Sequence, residues 1–122
     1  MVARVRELRE RHIAQGDLWW VEFDPFVGHE QAGRRPALIV STDEFHKSAF
    51  GLVVVMPLTT QDHGYPTHVL LPGDTPGLRE RSYVQAEQIW TVNTLRVHRR
   101  LGEIDPVSFN KVLHALSTIL GL

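Results

Sequence analysis

Between Gly16 and Gly102 the chain is cut into short apolar runs by glycine, proline and polar clusters. That spacing is the strongest constraint on its fold. Runs of four to eight residues bounded by turn formers read as strands. The sequence places them at residues 17–24, at 37–41 after an opening Pro36, and at 52–56, 67–71, 82–90 and 97–101. In the first run Trp19, Val21 and Phe23 share one face, and Leu18, Trp20 and Glu22 share the other. Helix is not expected between Gly16 and Gly102 apart from short turns over residues 43–48. Five or six short strands in so small a chain point to a compact curled sheet or small barrel.

Helical periodicity takes over only near the end. Asp105 can cap a helix, Pro106 suits its first position and Gly121 its stop, while Phe109, Val112, Leu113, Leu116, Ile119 and Leu120 recur at helical spacing. The expectation is that this stripe packs on the sheet. Residues 2–12 read as a short charged helix, so the chain divides into an N-terminal helical extension, 1–14, and a single domain, 15–122.

Composition narrows the chemistry. With no cysteine there can be no disulfide, thiolate metal site or cysteine nucleophile. Seven histidines are scattered without metal-ligand spacing, so no metal is expected, and the absence of GxSxG, Walker and GxGxxG patterns disfavours the corresponding enzyme classes. No cofactor is expected. No apolar run approaches the roughly 20 residues that span a bilayer, so the expected location is the cytoplasm. Net charge is -1, giving little long-range attraction for nucleic acid, yet only Lys47 and Lys111 of the thirteen basic residues are lysines. Arginine's planar fork suits bidentate contact with phosphate.

Two polar breaks between strands are the candidate sites. The first holds Gly28, His29, Glu30, Gln31, Gly33, Arg34 and Arg35, an acid, a base and two guanidinium forks in one short loop. Its two readings are a reactive loop and an ion-paired hairpin. The second runs from Thr59 and Thr60 through Gln61 and His63 to Tyr65. Threonine hydroxyls can donate to a phosphate and a tyrosine ring can stack a base; an ordinary turn is the plainer reading.

These stretches resemble a known family. Gly16-Asp-Leu-Trp-Trp-Val-Glu-Phe-Asp-Pro25 and Gly28-His-Glu-Gln-Ala-Gly-Arg-Arg-Pro-Ala-Leu-Ile-Val-Ser41 are similar to the opening signature of the MazF/PemK toxins of toxin-antitoxin systems. Pro57-Leu-Thr-Thr-Gln61, Gly64-Tyr-Pro66, Glu87-Gln88-Ile89 and Arg96 ahead of Leu101-Gly102 follow in register. The resemblance implies a mainly β (α+β) fold, an SH3-like partly open barrel with a C-terminal packing helix. It implies a homodimer whose interface forms an RNA groove, and a sequence-specific, metal-independent endoribonuclease acting on single-stranded RNA. A cognate MazE-like antitoxin would lay an extended tail in that groove. By the same resemblance Arg35 and Thr59 are the catalytic pair, with Glu30, Gln31 and Gln88, on a later strand, shaping the site or touching RNA. Arg34, Thr60, Gln61, Tyr65 and His29 are the further substrate-binding candidates.

The chemistry supports that pairing independently. RNA carries its own nucleophile in the 2'-hydroxyl, so a protein need only orient it, move protons and stabilise the phosphorane. Arg35, whose guanidinium holds its proton far above neutral pH, is expected to stabilise charge rather than shuttle a proton. Glu30 either accepts the proton or orients Arg35, and His29 is either an acid or a solvent-facing loop residue. Trp90 stands where family members often carry a basic residue, and His63 where a relative can carry lysine; Trp90 can stack a base or form a dimer contact. The alternative function is a non-enzymatic, CcdB-like toxin of the same barrel type that binds a protein target such as gyrase.

Overall fold

A computed structural model describes residues 11–23, 33–48 and 50–122. In chain order the elements are β1 (Asp17–Phe23), β2 (Gly33–Ile39), α1 (Asp43–Ser48), β3 (Leu52–Thr59), β4 (His68–Leu70), β5 (Tyr83–Gln85), β6 (Trp90–Asn93), β7 (Val97–Glu103) and α2 (Pro106–Leu120). Two 3-10 turns, Ala86–Gln88 and Thr94–Arg96, flank β6. The seven strands form one antiparallel sheet in the order β4-β5-β3-β2-β1-β7, with β6 added beside β3. The sheet curls without closing, which matches the partly open barrel.

Strand β3 organises this arrangement. Along one edge it pairs with β2; along the other its first half pairs with β6, Leu52 to Val55, and its last two residues, Leu58 and Thr59, pair with β5. Its apolar run is buried on both faces, as a central strand's should be. One face joins Leu18, Leu38, Met56, Leu58, Val69 and Val84 to Val112 and Ala115 of α2. The opposite face joins Trp19, Val21, Phe23, Ile39, Val53, Val55, Val92 and Val97. Each fully buried side chain of this kind contributes about 1.5–3 kcal/mol of transfer free energy.

The ends of α2 follow the sequence. Asp105 accepts from the Ser108 backbone N–H at 3.1 Å and from its hydroxyl at 2.6 Å. Gly121 adopts φ 73° and donates its N–H to Ser117. The apolar stripe is only partly covered, contrary to expectation. Val112 and Ala115 are buried and Phe109 and Leu116 pack beside them, but Leu113, Ile119 and Leu120 are exposed. A helix lying on an open sheet presents one limited stripe to it, and residues 100° to either side face outwards.

Two strand expectations need correction. Pro36 does not open its strand but lies inside β2, opposite Trp20. The run 82–90 is not one strand: it breaks at Ala86–Gln88, where the Ala86 N–H turns to the Thr67 carbonyl at 3.2 Å. The short turns expected over residues 43–48 are helical, started by the Thr42 hydroxyl, which accepts the Phe45 N–H at 3.2 Å.

Most of the expected helix over residues 2–12 lies outside the described residues, and Arg11 and His12 at its end are not helical. Arg11 itself is tied to the domain. Its guanidinium donates to the carbonyls of Val97 (2.7 Å), His98 (3.2 Å) and Thr94 (3.0 Å) and lies over the Trp19 ring at 5.4 Å. Ile13 is buried against the same cluster. Next to it, the buried Asp17 carboxylate accepts from Ala14 N (3.0 Å), Trp19 Nε1 (3.1 Å) and Arg100 (3.2 Å).

Candidate active site at the open end of the sheet

The β2–β3 ladder brings the two candidate catalytic residues towards each other. Its register runs Ile39↔Val55, Leu38↔Met56, Ala37↔Pro57. Counting two residues further along the same antiparallel register sets Arg35 opposite Thr59. Residues directly opposite share a sheet face, with Cβ atoms about 4.5–5.5 Å apart where strands remain paired.

The ladder stops short of that point for a covalent reason. Val40 donates its N–H to Val54 at 2.9 Å, so even-numbered residues of β2 direct their hydrogen bonds at β3. The next donors along that edge belong to Leu38 and then to residue 36, which is proline and has none. Past it, Thr59 keeps its pairing with Tyr83 of β5 along the other edge of β3. The sheet therefore parts at the place where Arg35 and Thr59 face the same side. Arg35 is half-buried opposite Val21, and Arg34 is exposed opposite Glu22.

Thr59 is buried, and its Oγ1 accepts the Gln61 backbone N–H at 3.2 Å. A hydroxyl has one donor and two acceptor sites, so this contact orients the oxygen while leaving its hydrogen available. Thr60, Gln61 and Tyr65 are exposed along the connection from β3 to β4. Gln88 is exposed too, on the 3-10 turn rather than on a strand. Glu30, His29 and Gln31 lie outside the described residues. Trp90 packs on the second core cluster and stacks on Phe23 at 5.4 Å between ring centroids.

The structure adds a polar cluster with no counterpart among the sequence candidates. His68 Nε2 lies 2.9 Å from Glu87 Oε2, and the Thr67 hydroxyl donates to Glu87 Oε1 at 2.8 Å. Burial pushes the Glu87 carboxyl up, but hydrogen bonds from His68 and Thr67, together with attraction to the imidazole, outweigh it and hold the carboxyl below its ordinary value. The His63 and Tyr65 rings stack at 5.4 Å and meet the His68 ring edge-on at 5.5 and 5.1 Å. Sequence periodicity could not single out His68, because only the β4–β5 register places it against Gln85 and Glu87. Among the described residues no group of three or more His, Asp or Glu side chains is placed to hold a metal ion, and no helix is long and apolar enough to cross a membrane.

Comparison with known proteins places this geometry in context. The profile of the family described as PemK-like, MazF-like toxin of type II toxin-antitoxin system matches residues 14–120. The chain is 34% identical to the endoribonuclease MazF9 of Mycobacterium tuberculosis, over 90% of this chain and 98% of that protein. It is 34% identical to the endoribonuclease toxin MazF of Escherichia coli K12, over 87% and 92% respectively. The crystal structure of MazF from Deinococcus radiodurans superimposes with a TM-score of 0.79 at 32% identity, covering 93% of this chain and all of that one. A mycobacterial endoribonuclease in complex with its cognate antitoxin superimposes with a TM-score of 0.75 at 31% identity, covering 91% and 97%.

Proposed function

The chain belongs to the PemK-like, MazF-like toxins of type II toxin-antitoxin systems, and from that membership we propose that it is a metal-independent endoribonuclease that cuts single-stranded RNA by attack of the ribose 2'-hydroxyl. The observation carrying this reading is the β2–β3 register, which directs Arg35 and Thr59 to one side of the sheet where the ladder parts.

In this mechanism the scissile phosphate sits across the gap. Attack of the 2'-oxygen on phosphorus, its proton passing to Glu30 or to water, and departure of the 5'-oxygen, protonated by His29 or by water, leave a 2',3'-cyclic phosphate and a 5'-hydroxyl. Negative charge grows on the non-bridging oxygens of the phosphorane. Arg35 meets it with two N–H groups and Thr59 with its hydroxyl hydrogen. Because the Gln61 N–H already fixes the Thr59 oxygen, little reorganisation is required of it. Glu30 accepts the 2'-hydroxyl proton or holds Arg35 in place, and His29, Gln31, Arg34, Thr60, Gln61, Tyr65 and Gln88 line the path of the RNA. A second copy of the chain completes the groove, and a MazE-like antitoxin inhibits by occupying it; a neighbouring fold of the same kind is known with its cognate antitoxin.

The test is cleavage of a long mixed-sequence RNA followed by analysis of the new ends. Arg35→Ala is expected to slow cleavage by at least about 100- to 1000-fold while the protein stays folded, and EDTA is expected to leave the wild type active. Full activity of Arg35→Ala, or cleavage that EDTA abolishes, overturns the mechanism. A protein-binding toxin of the same barrel type would leave the RNA intact.

A further inference from the structure

Two rings cross the open end of the sheet beside the catalytic pair. Val21 pairs with Arg35, and Phe23 stands two residues further along β1, as a diagonal neighbour of Arg35. Diagonal neighbours lie about 7–8 Å apart. On the far side of the opening Trp90 of β6 pairs with Val55, which precedes Thr59 by two same-face positions on β3. Val21, Phe23 and Val55 belong to one core cluster and Trp90 packs against it, so Arg35, Phe23, Trp90 and Thr59 share a face. The Phe23 and Trp90 rings meet across the curl of the sheet, 5.4 Å between centroids and with planes 29° apart.

The two rings are not equivalent. Phe23 is buried, whereas Trp90 is half-buried and reaches solvent. Because Phe23 covers one side of the indole, the accessible part of Trp90 belongs to its other side and its edge. Packing on the core cluster and on Phe23 already fixes the ring, so it offers a flat surface with little rotamer freedom left to lose. An indole has one N–H and no charge, so it is a poor holder of phosphate. A planar group suits it well, and beside Arg35 and Thr59 the planar group that accompanies each phosphate is a nucleobase. With a net charge of -1 the protein has little electrostatic hold on RNA, and stacking supplies affinity that salt does not screen.

We propose that Trp90 is a stacking platform for the nucleobase next to the scissile phosphate and sets the RNA in register with Arg35 and Thr59. The base lies on the side of the indole that Phe23 leaves uncovered. Every base has a flat face, so the platform contributes affinity and placement rather than choice of sequence. It takes no part in proton transfer. The substrate rests on the endoribonuclease reading, while the contribution of the ring to binding is a separate claim.

The experiment is a double-mutant cycle between protein and RNA. Non-cleavable 2'-O-methyl oligonucleotides, copied from a site cut in long mixed-sequence RNA and each carrying one abasic position, are titrated against the wild type, Trp90→Phe and Trp90→Leu. In the wild type an abasic position adjoining the cut is expected to weaken binding by about 5- to 150-fold. Trp90→Leu is expected to weaken binding of the intact oligonucleotide by a similar factor, to leave its salt dependence unchanged and to erase the penalty at that one position. Trp90→Phe, which keeps an aromatic face, is expected to retain most of both. Thermal melts and sedimentation establish the fold and oligomeric state of each variant. If RNA is cut but no position adjoining the cut carries the penalty, or the penalty persists in folded Trp90→Leu or Trp90→Phe is no better than Trp90→Leu, the platform is refuted while the nuclease stands. If Trp90→Leu changes the oligomeric state and leaves the abasic penalty intact, Trp90 is a contact between copies and the platform is refuted. If the wild type cuts no RNA, oligonucleotides of mixed sequence replace the copied ones: a Trp90-dependent penalty at one position then drops the nuclease and keeps the platform, and its absence refutes both.

Discussion

Two carboxylates with opposite surroundings define what single residues contribute. Asp17 is buried and satisfies Ala14 N–H and the Trp19 indole; its partner Arg100 is half-exposed, so the ion pair itself adds little. Asp17→Leu is expected to destabilise the fold by about 2–3 kcal/mol, read from urea midpoints, because the indole and backbone donors are left buried without an acceptor. Arg100→Ala is expected to cost much less in the same measurement. Glu87 behaves differently because its carboxyl is held below the ordinary 4.5 of the unfolded chain. A depressed carboxyl contributes stability above the unfolded value and loses it as pH falls through the folded one. Asp105, lowered by its hydrogen bonds to Ser108, has the same sign. Stability is therefore expected to fall on the acid side of pH 4.5, and Glu87→Gln is expected to flatten that fall.

At the level of elements, the missing donor of Pro36 determines where β2 and β3 separate. Pro36→Ala restores an N–H aimed at β3 and is expected to extend the ladder towards Arg35 and Thr59, visible as a new slowly exchanging amide at residue 36. Cleavage is expected to decline as the gap narrows; unchanged exchange would mean that the strands separate for another reason. Proline also shows how far the sequence could be read. The helix over 106–120 was legible because Asp105, Pro106 and Gly121 act locally, through caps that need no tertiary partner. The first strand and the run 52–56 were legible from apolar alternation and continuity. The interior placement of Pro36 was not, because a strand tolerates proline only where its N–H side meets no partner, and that is a property of the assembled sheet. The break at Ala86–Gln88 and the pairing of His68 with Gln85 likewise depend on which strands become neighbours. Arg35 and Thr59 were singled out by their motifs, with no sequence signal for the register that relates them.

For the whole molecule, near-neutral charge governs how RNA is captured. With a net charge of -1 there is no broad attractive field, and among the described candidates Arg34 and Arg35 are the cationic groups at the site. Two neutralised phosphates on a single strand correspond to a slope of about -1.4 in log affinity against log salt. Titrating a non-cleavable oligonucleotide at several salt concentrations tests this; a much steeper slope would reveal a basic surface beyond these two arginines. The split allegiance of β3 has a consequence for inhibition. Thr59 rides with the small β4–β5 flap, whereas Arg35 is anchored to β1, so the pair spans a seam in the framework. A compound wedged into that seam would disarm the protein by forcing guanidinium and hydroxyl apart, with no need to mimic a phosphate or compete for the nucleotide's place.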